Sequence, residues 1–260
     1  MAEIPHHIDP EIVEFLNEKV VQYNNPDFIE SDPISIPHQY TLKEDIEISG
    51  FLAATIAWGK RNMIIKNANR MMAMMGQSPY DFVMEHNEAQ LQHLEGFVHR
   101  TFNGTDLTYF VKALQHIYAN HGGLEPTFAQ HATQYSTQPA IHEFKKVFFS
   151  IPHPSRTTKH VGDPNKGSAA KRINMFLRWM VRDDNSGVDF GLWKSILPSA
   201  LSCPLDAHSG RVARKLKLVS RKMDDAKALT ELDHHLRLMD PRDPVKYDFA
   251  LFGLGVFEGF

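Results

Sequence analysis

The chain has a single cysteine, Cys203, in 260 residues. One thiol closes no internal disulfide and supplies neither a four-thiolate zinc site nor a four-cysteine iron–sulfur cluster. Disulfide scaffolds and cluster proteins are excluded, and a reducing, cytoplasmic compartment is expected. No stretch nears the roughly 18 apolar residues of a membrane span, and the opening MAEIPHHIDPEIVEF lacks the basic-then-apolar order of a signal peptide. Membrane contact is therefore not expected. Strand signals are equally scarce: alternating β-branched and aromatic runs hardly occur, while apolar residues recur at 3–4 spacing. Repeats, low-complexity tracts and charged linkers are absent as well. There is also little excess charge, since 28 Lys and Arg face 31 Asp and Glu for a net −3. Taken alone, that balance argues against a polyanionic partner.

The charge that is present is unevenly spread. Residues 1–50 hold Lys19 and Lys43 against eleven acids from Glu3 to Glu47, a local balance of −9. Residues 51–80 carry Lys60, Arg61, Lys66 and Arg70 with no acid, residues 156–182 balance at +6, and residues 206–222 at +5. A phosphate backbone meets local potential rather than net charge, so three basic blocks keep nucleic acid open as a partner. Exposed helix faces are also basic by chance, and any one block reads as readily that way.

With 42% hydrophobic residues the chain can bury a core in one large domain or two small ones. Helical periodicity predicts an all-α fold, and the charge distribution leaves room for two lobes with a cleft where the acidic N-terminal part meets the basic C-terminal half. Helices are expected at 10–23, where Ile12, Val13, Leu16, Val20 and Val21 form one stripe, and at 44–58, 60–75, 81–86, 106–118 and 141–149. Five more are expected at about 168–182, 189–197, 207–218, 224–236 and 244–257. Prolines 26, 33 and 37 keep 24–40 irregular, and 150–168 reads as a loop or hairpin.

Two segments carry candidate chemistry. On Ser168-Ala-Ala-Lys-Arg-Ile-Asn-Met-Phe-Leu-Arg-Trp-Met-Val-Arg182, helical geometry puts Ala169, Ile173, Phe176, Leu177 and Met180 on a core face. Lys171, Asn174, Met175, Arg178 and Arg182 fall opposite, as a cationic ridge. Lys171 lies in the first turn, where the helix dipole and neighbouring Arg172 tend to lower a lysine pKa, the direction a nucleophilic amine needs. A solvated surface lysine is the plainer reading. In Pro204-Leu-Asp-Ala-His-Ser-Gly-Arg-Val-Ala-Arg-Lys-Leu-Lys-Leu218, Asp206 precedes an amphipathic helix. It reads either as an N-cap or as an ionised carboxylate held to stabilise a developing cation. Fifteen histidines invite a metal, but His6-His7 and His234-His235 are adjacent pairs and no His-x-x-x-His face occurs, so no metal and no cofactor is expected. Trp58, Trp179 and Trp193 read first as core, with base stacking open for Trp179.

These residues carry a resemblance. Leu-Asp-x-His-x-x-Arg-Val-x-x-x-Leu at 205–216 resembles the segment of the helix-hairpin-helix DNA glycosylase superfamily, the endonuclease III and MutY group, that bears the catalytic aspartate, here Asp206. Val161-Gly-Asp-Pro-Asn-Lys-Gly-Ser-Ala-Ala-Lys171 looks like a degenerate hairpin. The helix that follows is similar to that of archaeal 8-oxoguanine glycosylases, whose lyase lysine falls on Lys171. Phe51-Leu-Ala-Ala-Thr-Ile-Ala-Trp-Gly-Lys-Arg61 and Asp243-Pro-Val-Lys-Tyr-Asp-Phe-Ala-Leu-Phe-Gly-Leu-Gly255 resemble the buried and closing helices of that fold. As a whole the chain resembles an uncharacterised bacterial family, a domain of unknown function, at the edge of the superfamily.

The resemblance implies one glycosylase-like helical domain over 1–260, with an acidic N-terminal part (1–50) and a basic helix-hairpin-helix-like C-terminal half (156–256). It implies a monomer acting on a damaged base, an oxidised purine for instance, in duplex DNA by base-excision repair. Catalysis falls on Lys171 and Asp206, and nucleic-acid contacts on Lys60, Arg61, Lys166, Arg178, Arg182, His208, Arg211 and Arg214. Lys194 is the alternative lysine, 12 residues before Asp206 where Lys171 is 35 before it. The chain departs from the superfamily in lacking both the Leu-Pro-Gly-Val-Gly hairpin and the iron–sulfur cluster. The other reading is a non-catalytic nucleic-acid-binding or regulatory helical protein.

Overall fold

A computed structural model of the chain describes residues 8–260, so His6, His7 and Glu3 lie outside the described residues. Its helices, in chain order, are α1 (Pro10–Tyr23), α2 (Asp27–Glu30), α3 (Lys43–Thr55), α4 (Arg61–Met74), α5 (Pro79–Glu85), α6 (Glu88–His93), α7 (Gly104–His121), α8 (Leu124–Ala129), α9 (Gln138–Phe148), α10 (Lys171–Val181), α11 (Ala207–Lys215), α12 (Ala226–Met239) and α13 (Tyr247–Phe257). The protein is all-α. Among the described residues the only sheet is the two-residue pair β1 (Val98–His99) and β2 (Phe102–Asn103). No described helix is long and apolar enough to cross a membrane.

The chain divides into two compact units. The first takes residues up to Phe28, Ala132–Pro139 and Gly162–Phe260, and the second takes Ile29–His131 and Ala140–Val161.

In the first unit, α1 starts where sequence places it. Asp9 accepts from the Glu11 amide and Pro10 occupies the first turn, where its missing N–H costs nothing. The predicted stripe is narrower than expected: Leu16 and Val20 are buried, while Val21 is 78% exposed. They join Cys203, Val212, Leu229, Leu232, Leu251 and Leu254 in one apolar core. Each such leucine contributes about 1.5–3 kcal/mol by leaving water. Close approach of α1 to α13 depends on Gly253, where a Cβ would lie 2.2 Å from the Tyr23 ring.

In the second unit, α3 is buried from Ile46 to Thr55, as its apolar run predicts. Phe51 packs against Phe110, Phe144 and Phe148 with ring centroids 5.5–5.8 Å apart. The fully buried Asp106 closes a capping box with Asn103 at the start of α7. It also accepts from Thr157 Oγ1 at 2.7 Å and pairs with Arg156 and His160. α7 ends at Gly122 with φ +75°, a left-handed cap that glycine adopts without strain.

Two expectations fail. Residues 189–197 form no helix. The Phe190 and Trp193 amides donate to Trp179 O and Met180 O on α10 instead of up their own segment, and Gly191 turns left-handed at φ +57°. The 24–40 stretch is also less irregular than its prolines suggest, since it folds as α2 and two 3-10 turns at Pro33–Ser35 and Pro37–Gln39.

Candidate active site

The approach to Lys171 is a tight turn. Pro164–Lys166 is a 3-10 turn capped by Asp163 and ended by Gly167 at φ +86°. Gly162 lets it fold back, because a Cβ there would sit 2.8 Å from Ser168 Oγ and 3.1 Å from Ala170 Cα. Ala170 is left-handed at φ +45°, an uncommon state for a residue with a Cβ, and its amide is held by Ser168 Oγ at 3.0 Å. Helix α10 therefore begins abruptly, with Lys171 as its first residue.

Asp206 is presented by an equally fixed segment. Ahead of it, Cys203 N–H donates to Asp233 Oδ1 at 2.9 Å, and Arg237 donates to Leu201 O at 2.7 Å. Asp206 caps α11 in a complete capping box with Ser209. Its oxygens divide their work. Oδ1 accepts from the His208 and Ser209 amides at 2.8 and 2.9 Å, while Oδ2 lies 3.1 Å from Lys171 Nζ. Burial raises the carboxyl pKa, but the Lys171 charge and these amides outweigh it and hold Asp206 below its ordinary value, so it is ionised at neutral pH. The side chains are 31% and 15% exposed, so neither is sealed from solvent. Next to Lys171, burial pushes Arg172 down to about 10, which leaves it a cation at neutral pH.

The remaining predicted residues are placed very differently. Arg178 and Arg182, expected on an exposed ridge, are 3% and 2% exposed. That expectation is corrected: both faces of α10 are buried, and the second is polar because carboxylates meet it. Arg178 donates to Asp189 at 3.2 Å and to Asp248; Arg182 donates to Asp189 at 3.1 Å, to Asp243 at 2.9–3.0 Å and pairs with Asp184 at 2.5 Å. A buried guanidinium committed to carboxylates cannot meet a phosphate. Arg211 spends its donors on Phe260 O and Gly255 O, and half-buried Arg214 on Arg221 O and Asp224. Lys166 and His208 are exposed in the same unit. Lys60, exposed at the N-cap of α4, and half-buried Arg61 belong to the second unit. Lys194 is 72% exposed and paired with Asp183 at 2.8 Å. Trp179 and Trp193 are core, whereas Trp58 is partly exposed, with His99 edge-on and His160 stacked.

Asp248 is the residue sequence reasoning missed. A lone carboxylate in the apolar helix α13 was the available signal. Burial and the Asp206 charge, against Arg178 and Lys171, push it up to about 6. Asp233, equally enclosed, is also pushed up to about 6, by burial foremost. Among the described residues no group of three or more His, Cys, Asp or Glu side chains is arranged to hold a metal ion. Of the adjacent histidines 234 and 235, His235 is buried, with Nδ1 2.7 Å from Leu218 O.

Comparison with known proteins places the sequence in a family. The sequence profile of a family described as a protein of unknown function (DUF2400) matches residues 32–257. The chain belongs to the DUF2400 family. No curated protein and no solved structure matches it. The match takes in Lys171, Asp206 and Asp248, so the whole candidate site lies within the DUF2400 region.

Proposed function

We propose that this DUF2400 chain is a DNA glycosylase and abasic-site lyase that removes a damaged base, of the oxidised-purine class, from duplex DNA. One observation carries the reading: an amine and a carboxylate 35 residues apart in sequence meet at 3.1 Å in a partly open site. It also fits the superfamily resemblance at Asp206 and Lys171. A duplex base is buried in its stack, so the target nucleotide is flipped out first, at a cost of a few kcal/mol.

Lys171 must then leave its ion pair and lose a proton before it can attack. Its lone pair forms a bond to C1′ while the C1′–N glycosidic bond breaks, and the departing base carries off that electron pair and takes up a proton. Positive charge develops at C1′ and the ring oxygen, and the ionised Asp206, freed from Lys171, offsets it. Ring opening, with a proton going to the ring oxygen, leaves an imine. Loss of a C2′ proton then expels the 3′ phosphate and cuts the strand. In the unit that bears Lys171 and Asp206, exposed Lys166 and His208 supply phosphate contacts, while Arg211 and Arg214 hold the frame of α11.

A second reading, a non-catalytic nucleic-acid-binding or regulatory protein, is favoured by the completeness of the Asp206 capping box, which explains that carboxylate without chemistry. A panel of duplexes with single damaged bases separates the two. The enzyme reading expects base release by the wild type that is lost in Asp206→Asn and in Lys171→Ala. No release from any duplex, with binding that weakens steeply in salt, overturns it for the binder.

A further inference from the structure

Helix α1 carries a second apolar stripe beside the one that enters the core. Leu16 and Val20 are buried, but at about 100° per residue Val13, Asn17 and Val21 turn to the neighbouring side, and Val21 is 78% exposed. Near the end of α12, Leu238 is 42% exposed and Met239 half-buried. Together these side chains line a groove of about 680 Å³ in the first unit. Core packing does not account for them, since Val13, Val21 and Leu238 stand outside the apolar core that holds Leu16 and Val20.

The charge along this groove has one sign. Glu14 and Glu18, one turn apart on the edge of the stripe away from the core, both line it and both are exposed. Among the described residues no cation lines it. Lys19, the only cation of α1, is held by Glu258 at 2.6 Å and Gln22 at 2.9 Å, and Arg237 of α12 donates to Ser199 O and Leu201 O. Exposed apolar side chains edged by carboxylates attract cations and repel phosphate, so nucleic acid and an anionic membrane are poor occupants.

We propose that the groove between α1 and α12 docks a cationic amphipathic helix of a partner protein. Its walls are helices whose backbone groups are bonded internally, so it offers no sheet edge to an extended peptide and is read by side chains. Val13 and Val21 place apolar contacts about 12 Å apart along α1. A partner helix of about three to four turns covers that span. Its large apolar side chains, at 3–4 spacing, enter the groove, and Lys or Arg on its flank meets Glu14 and Glu18. Met239, unbranched and adaptable, suits the wall of such a groove.

The test is fluorescence anisotropy of a labelled Leu–Lys peptide of about 14 residues, with Leu and Lys on opposite helical faces, titrated with the full chain. Saturable single-site binding that weakens with salt is expected, and none by the matching Leu–Glu peptide. The double variant Glu14→Lys, Glu18→Lys and, separately, Val21→Asp are each expected to weaken binding by at least about tenfold. Glu85→Lys, on α5 of the second unit, is expected to leave it unchanged. All four positions are exposed, so these variants leave the core intact. No binding by wild type overturns the proposal, as does equal affinity for the Leu–Glu peptide or an affinity that neither groove variant moves. Sedimentation equilibrium of the free chain supplies the other arm: a dimer that Val21→Asp dissociates gives the groove to a second copy and overturns a separate partner.

Discussion

Replacing Arg178 with Met tests whether α10 presents its cations outward or inward. The guanidinium is 3% exposed, bonded to Asp189 and Asp248, and centred 4.3 Å above the Phe249 ring. Removing one partner of a buried ion pair costs about 3–5 kcal/mol, because the other charge is left in a poor solvent. The loss also depends on pH. With its cation gone, buried Asp248 stays folded only by taking up a proton, whereas in wild type, with Arg178 in place, it ionises above about 6. Below about 6 both proteins carry it protonated, so this part of the deficit is absent there and grows by about 1.4 kcal/mol per pH unit above it. The deficit at pH 7 should therefore exceed that at pH 5 by about 1.4 kcal/mol. Urea denaturation of wild type and Arg178→Met at pH 7 and pH 5 measures both. A loss under about 0.5 kcal/mol at both values, as for a surface residue, or one independent of pH, refutes the buried-pair reasoning.

Three further outcomes follow from the same packing. Asp233, at about 6 when folded against 3.8 unfolded, favours the native state when protonated and loses that contribution as pH rises through this window. Urea melts at pH 4 and pH 7 should therefore show Asp233→Asn gaining up to about 3 kcal/mol on wild type at the higher pH. Gly253→Ala drives a Cβ into the Tyr23 ring, which is tied to Glu258 and stacked on Phe257, and should cost about 1–3 kcal/mol by thermal or chemical melting. Lys194→Ala removes a pair that is 72% and 51% exposed, and should change stability by no more than about 0.5 kcal/mol.

Local signals were read well where a local cause decides the structure. The apolar stripe over 10–23 is α1, and the apolar run within 44–58 is α3, buried from Ile46 to Thr55. The errors lie where the deciding partner is distant in sequence. Periodicity assigned Arg178 and Arg182 to a solvent face because their partners Asp189, Asp243 and Asp248 stand 7 to 70 residues away. The false helix at 189–197 fails for the same reason: its amides are taken by α10. The basic blocks misled in a similar way, since several of their cations are spent inside the protein. Asp206 was legible as a cap and Lys171 as a first-turn lysine, but their meeting at 3.1 Å depends on two turns that no residue pattern spells out.

Whether Lys171 is a nucleophile served by Asp206 is tested most directly by borohydride trapping. The full chain is incubated with duplex DNA containing an abasic or oxidised-purine site, reduced, and the adduct mapped by peptide mass spectrometry. A covalent protein–DNA adduct on Lys171, absent from Lys171→Ala, is expected. No adduct with wild type, or an undiminished adduct in Lys171→Ala, contradicts it.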